Sequence, residues 1–442
     1  MHSLPDFLAH YTACPDCDLL LHKAKAPAGY SVVCPRCRRI ISRSTAASIA
    51  KVLALSIAGL LLYLPAMLLP LMTFKSFGFS GSANILESIL NFYRNDYYFV
   101  ALMVLLSAVV MPLILLATIF LLSWQLQRKK YPTYLAGLFR IHLHLEEWAM
   151  LEVYLIGILV TIIKMSPTSD IDYHSGIFCF SCLVLITLAI SSIVDRDLFW
   201  QTIEDQSHED EKETLSEQHH QGTASTAAEK GLVLCHICHK LSPTTLAGTG
   251  CPRCRTNLHM RKPHSVARTW ALVITSAIFL APANLLPIME VDFLGVPSRS
   301  TILDGIIHFF QDGSYLIGLI IFTASILVPV FKIIGLVILL RATRPGHHHF
   351  LVQKAKLFRF IAFIGRWSML DIFVIDILSV LVDYGFFTSI HTAPAATYFS
   401  FVVAATMFAA MTFDPRIIWD ACYPDDTPQY QEQTATPLGK TL

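Results

Sequence analysis

Apolar residues in this chain run in long blocks separated by short polar or basic stretches. Eight blocks stand out, at roughly 47–73, 98–123, 149–165, 175–194, 268–290, 314–340, 367–387 and 393–413. Each is about long enough to cross a ~30 Å hydrocarbon core as a helix. The third and seventh begin beside charged residues. Pro65, Pro70, Pro112, Pro282, Pro287 and Pro329 fall inside the blocks, which predicts kinks or partial unwinding where neighbouring helices satisfy the freed carbonyls. Between blocks, Ile85 to Phe92 and Ile302 to Phe310 show helical apolar spacing with Glu87 and Asp304 in register. Each predicts a short helix lying on the outer surface or against the bundle.

The blocks are one pattern written twice. Pro65-Ala66-Met67-Leu68-Leu69-Pro70-Leu71-Met72 returns as Pro282-Ala283-Asn284-Leu285-Leu286-Pro287-Ile288-Met289, an offset of 217 residues that holds from Cys37/Cys254 to Pro112/Pro329. At offset 219, Leu138-Phe139-Arg140 matches Leu357-Phe358-Arg359, Trp148 matches Trp367, and Trp200 matches Trp419. The differences between the two copies therefore carry information.

Composition places the chain in a membrane. Of 442 residues, 54% are apolar and only 15% charged, against about 25% charged in soluble domains. The net charge of +1 gives no basis for a nucleic-acid partner. The charges are segregated. Lys and Arg gather before the first block (Arg36, Arg38, Arg39, Arg43), after the second (Arg128, Lys129, Lys130, Arg140), and around Arg253 to Arg268 and Arg341 to Arg366. By the positive-inside rule these connections face the cytoplasm and both termini lie inside.

Eight of the eleven cysteines sit in CxxC pairs: Cys14/Cys17 with Cys34/Cys37, and Cys235/Cys238 with Cys251/Cys254. Paired knuckles at this spacing are the pattern of a four-thiolate zinc ribbon, which places one structural ion in each. In the reducing cytosol the thiolates stay available to metal, and metal binding would supply the folding energy of so short a piece. A redox CxxC would need a thioredoxin-like strand and helix, which the surrounding sequence lacks. The expected organisation is an all-α polytopic membrane protein of two tandem four-helix modules, each preceded by a small cytoplasmic ribbon. The boundaries are 1–45 for ribbon 1, 46–200 for module 1, 201–230 for an acidic, Gln- and His-rich linker, 231–262 for ribbon 2, 263–422 for module 2, and 423–442 for a disordered tail.

Charged groups inside a membrane segment are costly and point to function. Lys332 stands nine residues before Arg341, roughly 13 Å into its helix, and its first-half counterpart is Leu115. Asp371, whose counterpart is Glu152, lies at a similar depth, so the two could pair. Ser325, Ser368 and Thr406 sit on neighbouring helices and complete a polar path; Asp376, which replaces Gly157, and Met369 extend the set. The competing reading is a snorkelling Lys332 and an Asp371 that caps its helix. The first half lacks the lysine and reads as a scaffold.

The motifs together resemble the paraquat-inducible protein A family. They are the CPxC ribbon, the PAxLLPxM helix, Val328-Pro329-Val330-Phe331-Lys332, Trp367-Ser368-Met369-Leu370-Asp371, and Phe413-Asp414-Pro415-Arg416-Ile417-Ile418-Trp419-Asp420. The resemblance covers about residues 10–422. The first half departs from it at Leu115, Ala149 and Val194-Asp195-Arg196-Asp197. It implies a Gram-negative inner-membrane protein that moves lipids between membranes with a periplasm-spanning tunnel protein of stacked MCE domains. It also implies modules resembling the tetraspanin and claudin-like fold. The other class of function open to the sequence is a membrane-anchored zinc or redox sensor, or a docking platform. No Walker sequence and no nucleophile–base arrangement points to an enzyme.

Overall fold

The computed structural model describes residues 10–23, 30–43, 48–76, 79–128, 132, 134–165, 170–204, 226–293, 296–311, 313, 315–344, 349–381 and 388–421. The expected tail at 423–442 and most of the 201–230 linker lie outside the described residues.

The first half contains α1 (Ile49–Leu68), α2 (Ile85–Arg94), α3 (Tyr98–Gln127), α4 (Leu135–Leu145), α5 (Leu151–Met165), α6 (Ser175–Ile193) and α7 (Arg196–Glu204). The second repeats them as α8 (Ser265–Leu285), α9 (Ile302–Gln311), α10 (Gly318–Arg341), α11 (Leu351–Gly365), α12 (Leu370–Leu381), α13 (Ala395–Thr412) and α14 (Ile417–Asp420). Six of these, α1, α3, α6, α8, α10 and α13, are long and apolar enough to cross a membrane. The third and seventh blocks form the shorter helices α5 and α12. Within each half the first and last long helices pack together, α1 on α6 and α8 on α13.

The prolines act at three kinds of position. Pro65 and Pro282 are absorbed near the ends of α1 and α8. Pro70 and Pro287 lie just beyond those ends, where the chain turns into strands. Pro112 and Pro329 each follow a π-helical turn, Leu105–Val110 in α3 and Thr323–Leu327 in α10. A proline cannot donate to the carbonyl four residues back and its ring crowds it; widening the preceding turn relieves the conflict. The expected unwinding is thus a π turn, and it carries Ser325 in the second half.

The all-α expectation needs amendment. In each half the connections at one end of the bundle fold into a three-stranded antiparallel sheet. In the first half, β5 (Met72–Ser76) lies between β6 (Phe79–Ala83) and β7 (Asp170–Tyr173); in the second, β10 (Met289–Phe293) lies between β11 (Val296–Ser300) and β12 (Thr388–Thr392). Met72 pairs with Ala83 and Tyr173, and Met289 pairs with Ser300 and Thr392. The sequence repeat is therefore also a repeat of strand register. These strands continue directly from apolar blocks, so hydropathy alone assigns part of them to a helix.

The ribbons sit at the other end of the bundle. Ribbon 1 is two hairpins, β1 (Tyr11–Ala13) with β2 (Leu20–His22) and β3 (Ser31–Val33) with β4 (Ile40–Arg43). Ribbon 2 contains β8 (Leu232–Leu234) paired with β9 (Leu241–Pro243). The two ribbons touch. Leu19 forms a bridge with Thr226, Arg261 Nη2 donates to Asp18 Oδ2 at 3.1 Å, and Ala13, Ala227, Leu232, Leu234 and Leu241 share one apolar cluster.

Their docking is crossed. Ribbon 1 rests on the second half: Arg359 of α11 donates to Asp16 Oδ2 at 2.9 Å and to the Cys37 carbonyl at 3.0 Å, and Arg36 stacks 4.6 Å over Trp419 of α14. The second knuckle of ribbon 2 rests on the first half: Arg140 of α4 donates to the Cys254 carbonyl at 3.4 Å, and Glu204 of α7 accepts from Arg253 Nε at 2.7 Å. Arg140 and Arg359 are repeat equivalents, as are Cys37 and Cys254, so one contact is made twice with the halves exchanged.

Candidate functional site

Both four-cysteine sets are built from the same turn. In each of the four knuckles the residue after the second cysteine is left-handed: Asp18 (φ 61°), Arg38 (59°), His239 (54°) and Arg255 (59°). The backbone N–H of that residue donates to the carbonyl of the first cysteine, and the N–H of the first cysteine is bonded in return, as in Asp18 N–H to Cys14 O at 2.8 Å and Cys14 N–H to Leu19 O at 2.9 Å. This folds both sulfurs of a pair to one side. Cys14 and Cys37 Sγ stand 3.4 Å apart, Cys17 and Cys34 3.6 Å, Cys235 and Cys254 3.5 Å, Cys238 and Cys251 3.6 Å. Those are too long for a disulfide and close to the roughly 3.8 Å edge of a tetrahedron with ~2.3 Å metal–sulfur bonds. All eight cysteines are buried and unoxidised, and each foursome could hold one metal ion. The donor set of four soft sulfurs in a closed site fits a structural ion.

The second candidate site lies in the helices. Lys332, on α10, is fully buried and donates to Ser368 Oγ at 3.3 Å. Ser368 stands on the 3-10 turn Arg366–Met369 that leads into α12. A snorkelling side chain carries its ammonium toward the headgroups; the Lys332 ammonium is enclosed by protein, on Ser368. An interior cation is costly by several kcal/mol unless well solvated by protein groups, and the partner it has is a neutral hydroxyl. Ser368 stands three residues before Asp371, the residue expected to pair with Lys332.

Asp371 lies in the first turn of α12 and lines an open cleft. The cleft runs along one face of α12, where Asp371, Val374, Ile375 and Leu378 recur at helical spacing. Ser325 and Ile321 of α10 form a second wall, Ile302, Gly305 and Phe309 of α9 a third, and Val160 of α5 closes it from the first half. The lining is apolar apart from Asp371, Ser325 and Thr301. Ser325 Oγ donates to the Ile321 carbonyl of its own helix at 2.7 Å, which leaves its lone pairs available.

Three proposed path residues sit elsewhere. Thr406, buried on α13, bonds back to the Val403 carbonyl at 3.0 Å. Met369 is buried among apolar neighbours and is not on the cleft wall. Asp376 occupies the opposite face of α12 and is fully buried against the first half, accepting from Ser88 Oγ at 2.8 Å and Tyr154 Oη at 3.0 Å. Ser379 accepts from Asn91 Nδ2 at 3.3 Å along the same seam. The sequence flagged Asp376 as a charge in an apolar block but gave no sign that its partners lie more than 200 residues away.

Beside the ribbons, Asp414 and Arg416 form a third polar cluster. Asp414 accepts from Arg416 Nε (3.0 Å) and Nη2 (2.9 Å) and from the Lys262 N–H (3.0 Å). Burial alone would raise its carboxyl, but these donors hold it at about 2. Arg261 bridges Asp420 (2.7 Å) to Asp18 of ribbon 1. The Phe413–Asp420 motif is thus a joint between the second half and both ribbons, which motif spacing did not reveal.

Six long apolar helices, a duplicated strand register and two closed four-cysteine sites, each of which could hold a metal ion, define a multi-pass membrane protein of duplicated build. The chain belongs to the paraquat-inducible protein A family, whose pattern it matches over residues 49–204 and again over 266–423. It is 33% identical to the intermembrane transport protein PqiA of Escherichia coli (strain K12) over 93% of this chain and 96% of that relative. It is 31% identical to the lipophilic envelope-spanning tunnel protein A of the same organism, over 93% of this chain and 91% of that one. It is also 27% identical to a probable intermembrane transport protein of Haemophilus influenzae, over 92% and 95% of the two chains. No solved structure matches it significantly.

Proposed function

We propose that this protein is the inner-membrane component of a transport system that passes lipid between the inner and outer membranes of a Gram-negative envelope. The carrying observation is a fully buried Lys332 on α10, bonded to Ser368 at the turn into α12, with the same two helices walling a cleft that is apolar apart from Asp371, Ser325 and Thr301. The names of the relatives, intermembrane transport protein and lipophilic envelope-spanning tunnel protein, support the same role. In this reading each half is a four-helix module, α5 and α12 counting as the third helix of each. The ribbons and both termini face the cytoplasm, and each ribbon holds one structural Zn²⁺ on its four cysteines.

Lipid enters the cleft of the second module. Its chain lies along the apolar face of α12, and its polar head meets Ser325 and Asp371, with the Lys332–Ser368 pair behind them. Thr406, Met369 and Asp376 support these helices from behind. The first module, with Leu115 and Ala149 at the positions of Lys332 and Ser368, acts as scaffold. A periplasmic tunnel protein of MCE domains takes the lipid onward, since the sheets of the outer connections carry little mass of their own. The protein acts as a transporter subunit and not as an enzyme.

The test is lipid content and lipid transfer of the purified protein, wild type against Lys332→Ala and Asp371→Ala, at matched stability and matched metal content. The transport reading expects both variants to stay folded and to lose binding or transfer. Folded variants that carry and pass lipid at the wild-type rate would sink it and move the weight to a ribbon-centred sensor. Against a redox sensor stand the cysteines themselves: they are buried and closed, where a reactive thiolate needs exposure.

A further inference from the structure

The repeat pairs Ser88 with Gly305 and Gly157 with Asp376. In the first half Ser88 reaches from α2 to Asp376 on α12, and Tyr154 of α5 bonds the same carboxyl oxygen, so α2 is fastened across the seam by buried hydrogen bonds. At the equivalent place on the other side of the seam stand two glycines, which have no side chain to bond. They differ from each other. A Cβ on Gly157 would come within 3.1 Å of the Phe373 side chain, so that glycine permits close helix packing; a Cβ on Gly305 would meet nothing within 4 Å. Gly305 therefore borders open space, and it is one of the residues that line the cleft. A glycine in mid-helix is unfavourable relative to alanine, and no neighbour of Gly305 requires it. The room it leaves is what it provides.

We propose that Gly305 is the aperture residue of the cleft: its missing side chain makes the channel between α9 and Val160 of α5 in which an acyl chain of the bound lipid lies. This rests on the lipid-transport reading and deepens it by naming the wall that admits the chain. The filled, hydrogen-bonded seam at Ser88 and Asp376 is the closed counterpart of this open one.

The experiment uses the full chain in detergent, loaded with pyrene-labelled phosphatidylethanolamine and passed through gel filtration, with the melting temperature read on the same samples. Gly305→Leu should retain roughly tenfold less than wild type, since a side chain of that size displaces apolar contact worth about a decade in affinity. Its melting temperature should be at or above wild type, because a helix former replaces glycine without a clash. Val160→Phe, from the facing wall, should lose probe in the same way and tests the idea independently should Gly305→Leu fail to fold. If both variants hold the wild-type amount while Lys332→Ala loses it, the aperture is wrong and the transport reading stands. If wild type itself holds no probe, both fall together.

Discussion

Tyr154 Oη donates a 3.0 Å hydrogen bond to Asp376 Oδ2, joining residues 222 positions apart across the seam between the two halves. Tyr154 is itself the repeat equivalent of Phe373, and the two rings meet at 5.0 Å. The seam is therefore built around a pseudo-symmetric pair in which one ring carries a hydroxyl and the other does not. That single oxygen, with Ser88, stands between Asp376 and an otherwise apolar environment.

Removing the hydroxyl tests this directly. Tyr154→Phe should lower the stability of the full chain by about 1–2 kcal/mol, the cost of taking one partner from a buried carboxyl group. Lipid uptake per folded molecule should be unchanged, because Tyr154 is not on the cleft wall. Paired thermal melts and probe binding measure both. Loss of uptake without loss of stability would mean that the seam takes part in transport.

The crossed ribbons predict where metal loss is felt. Cys34→Ser should remove about one equivalent of metal per chain and loosen ribbon 1. The consequence should appear in the second half, as faster amide exchange in α11 and α14, where Arg359 and Trp419 hold that ribbon. Cys251→Ser should act instead on α4 and α7. Metal analysis together with exchange mass spectrometry reads this out; protection lost in the half adjacent in sequence would contradict it.

The two equivalent arginines are unequal. Arg359 bonds both the Asp16 carboxylate and the Cys37 carbonyl, whereas the Arg140 bond to the Cys254 carbonyl is 3.4 Å long. Asp16 is buried, so losing Arg359 leaves a buried acid with fewer donors. Arg359→Ala should therefore cost about 2–3 kcal/mol, the range for breaking a hydrogen bond to a charged group, and Arg140→Ala less than about 1 kcal/mol. Equal costs in a denaturation series would show that the Arg359–Asp16 ion pair adds nothing.

Asp414 sets an acid dependence. Its carboxyl is held at about 2, below its ordinary 3.8, by Arg416 and the Lys262 N–H. A group with a depressed folded value adds stability in full above its unfolded value and loses it as pH falls through the folded one. The contribution, about 2 kcal/mol, is present above about pH 4 and disappears as pH falls toward about 2. Asp414→Asn should thus be less stable than wild type at pH 5, with the gap closing on acidification. Loss of ribbon metal in acid is common to both proteins and drops out of the difference. A gap that stays constant to pH 2 would remove the ion pair from the account.

Much of this was legible in the sequence because it depends on local pattern. Long apolar blocks, CxxC spacing and a 217-residue offset fix span candidates, thiolate sets and duplication, since helix length, knuckle turns and repeat register are properties of neighbouring residues. Lys332 stood out for the same reason, as a charge where the pattern allows none. What only the tertiary structure decided is which groups face one another. Hydropathy is blind to partner choice, so it could not show that Lys332 meets Ser368 or that Asp376 turns to the other half. It also could not show that a cysteine knuckle of each ribbon rests on the half that ribbon does not precede. The outer strands were hidden because their apolar residues extend the helical blocks, and only hydrogen-bond pairing between distant segments makes them sheets. The cleft is the clearest case: Gly305 is one glycine among twenty until packing shows that nothing stands where its side chain would be.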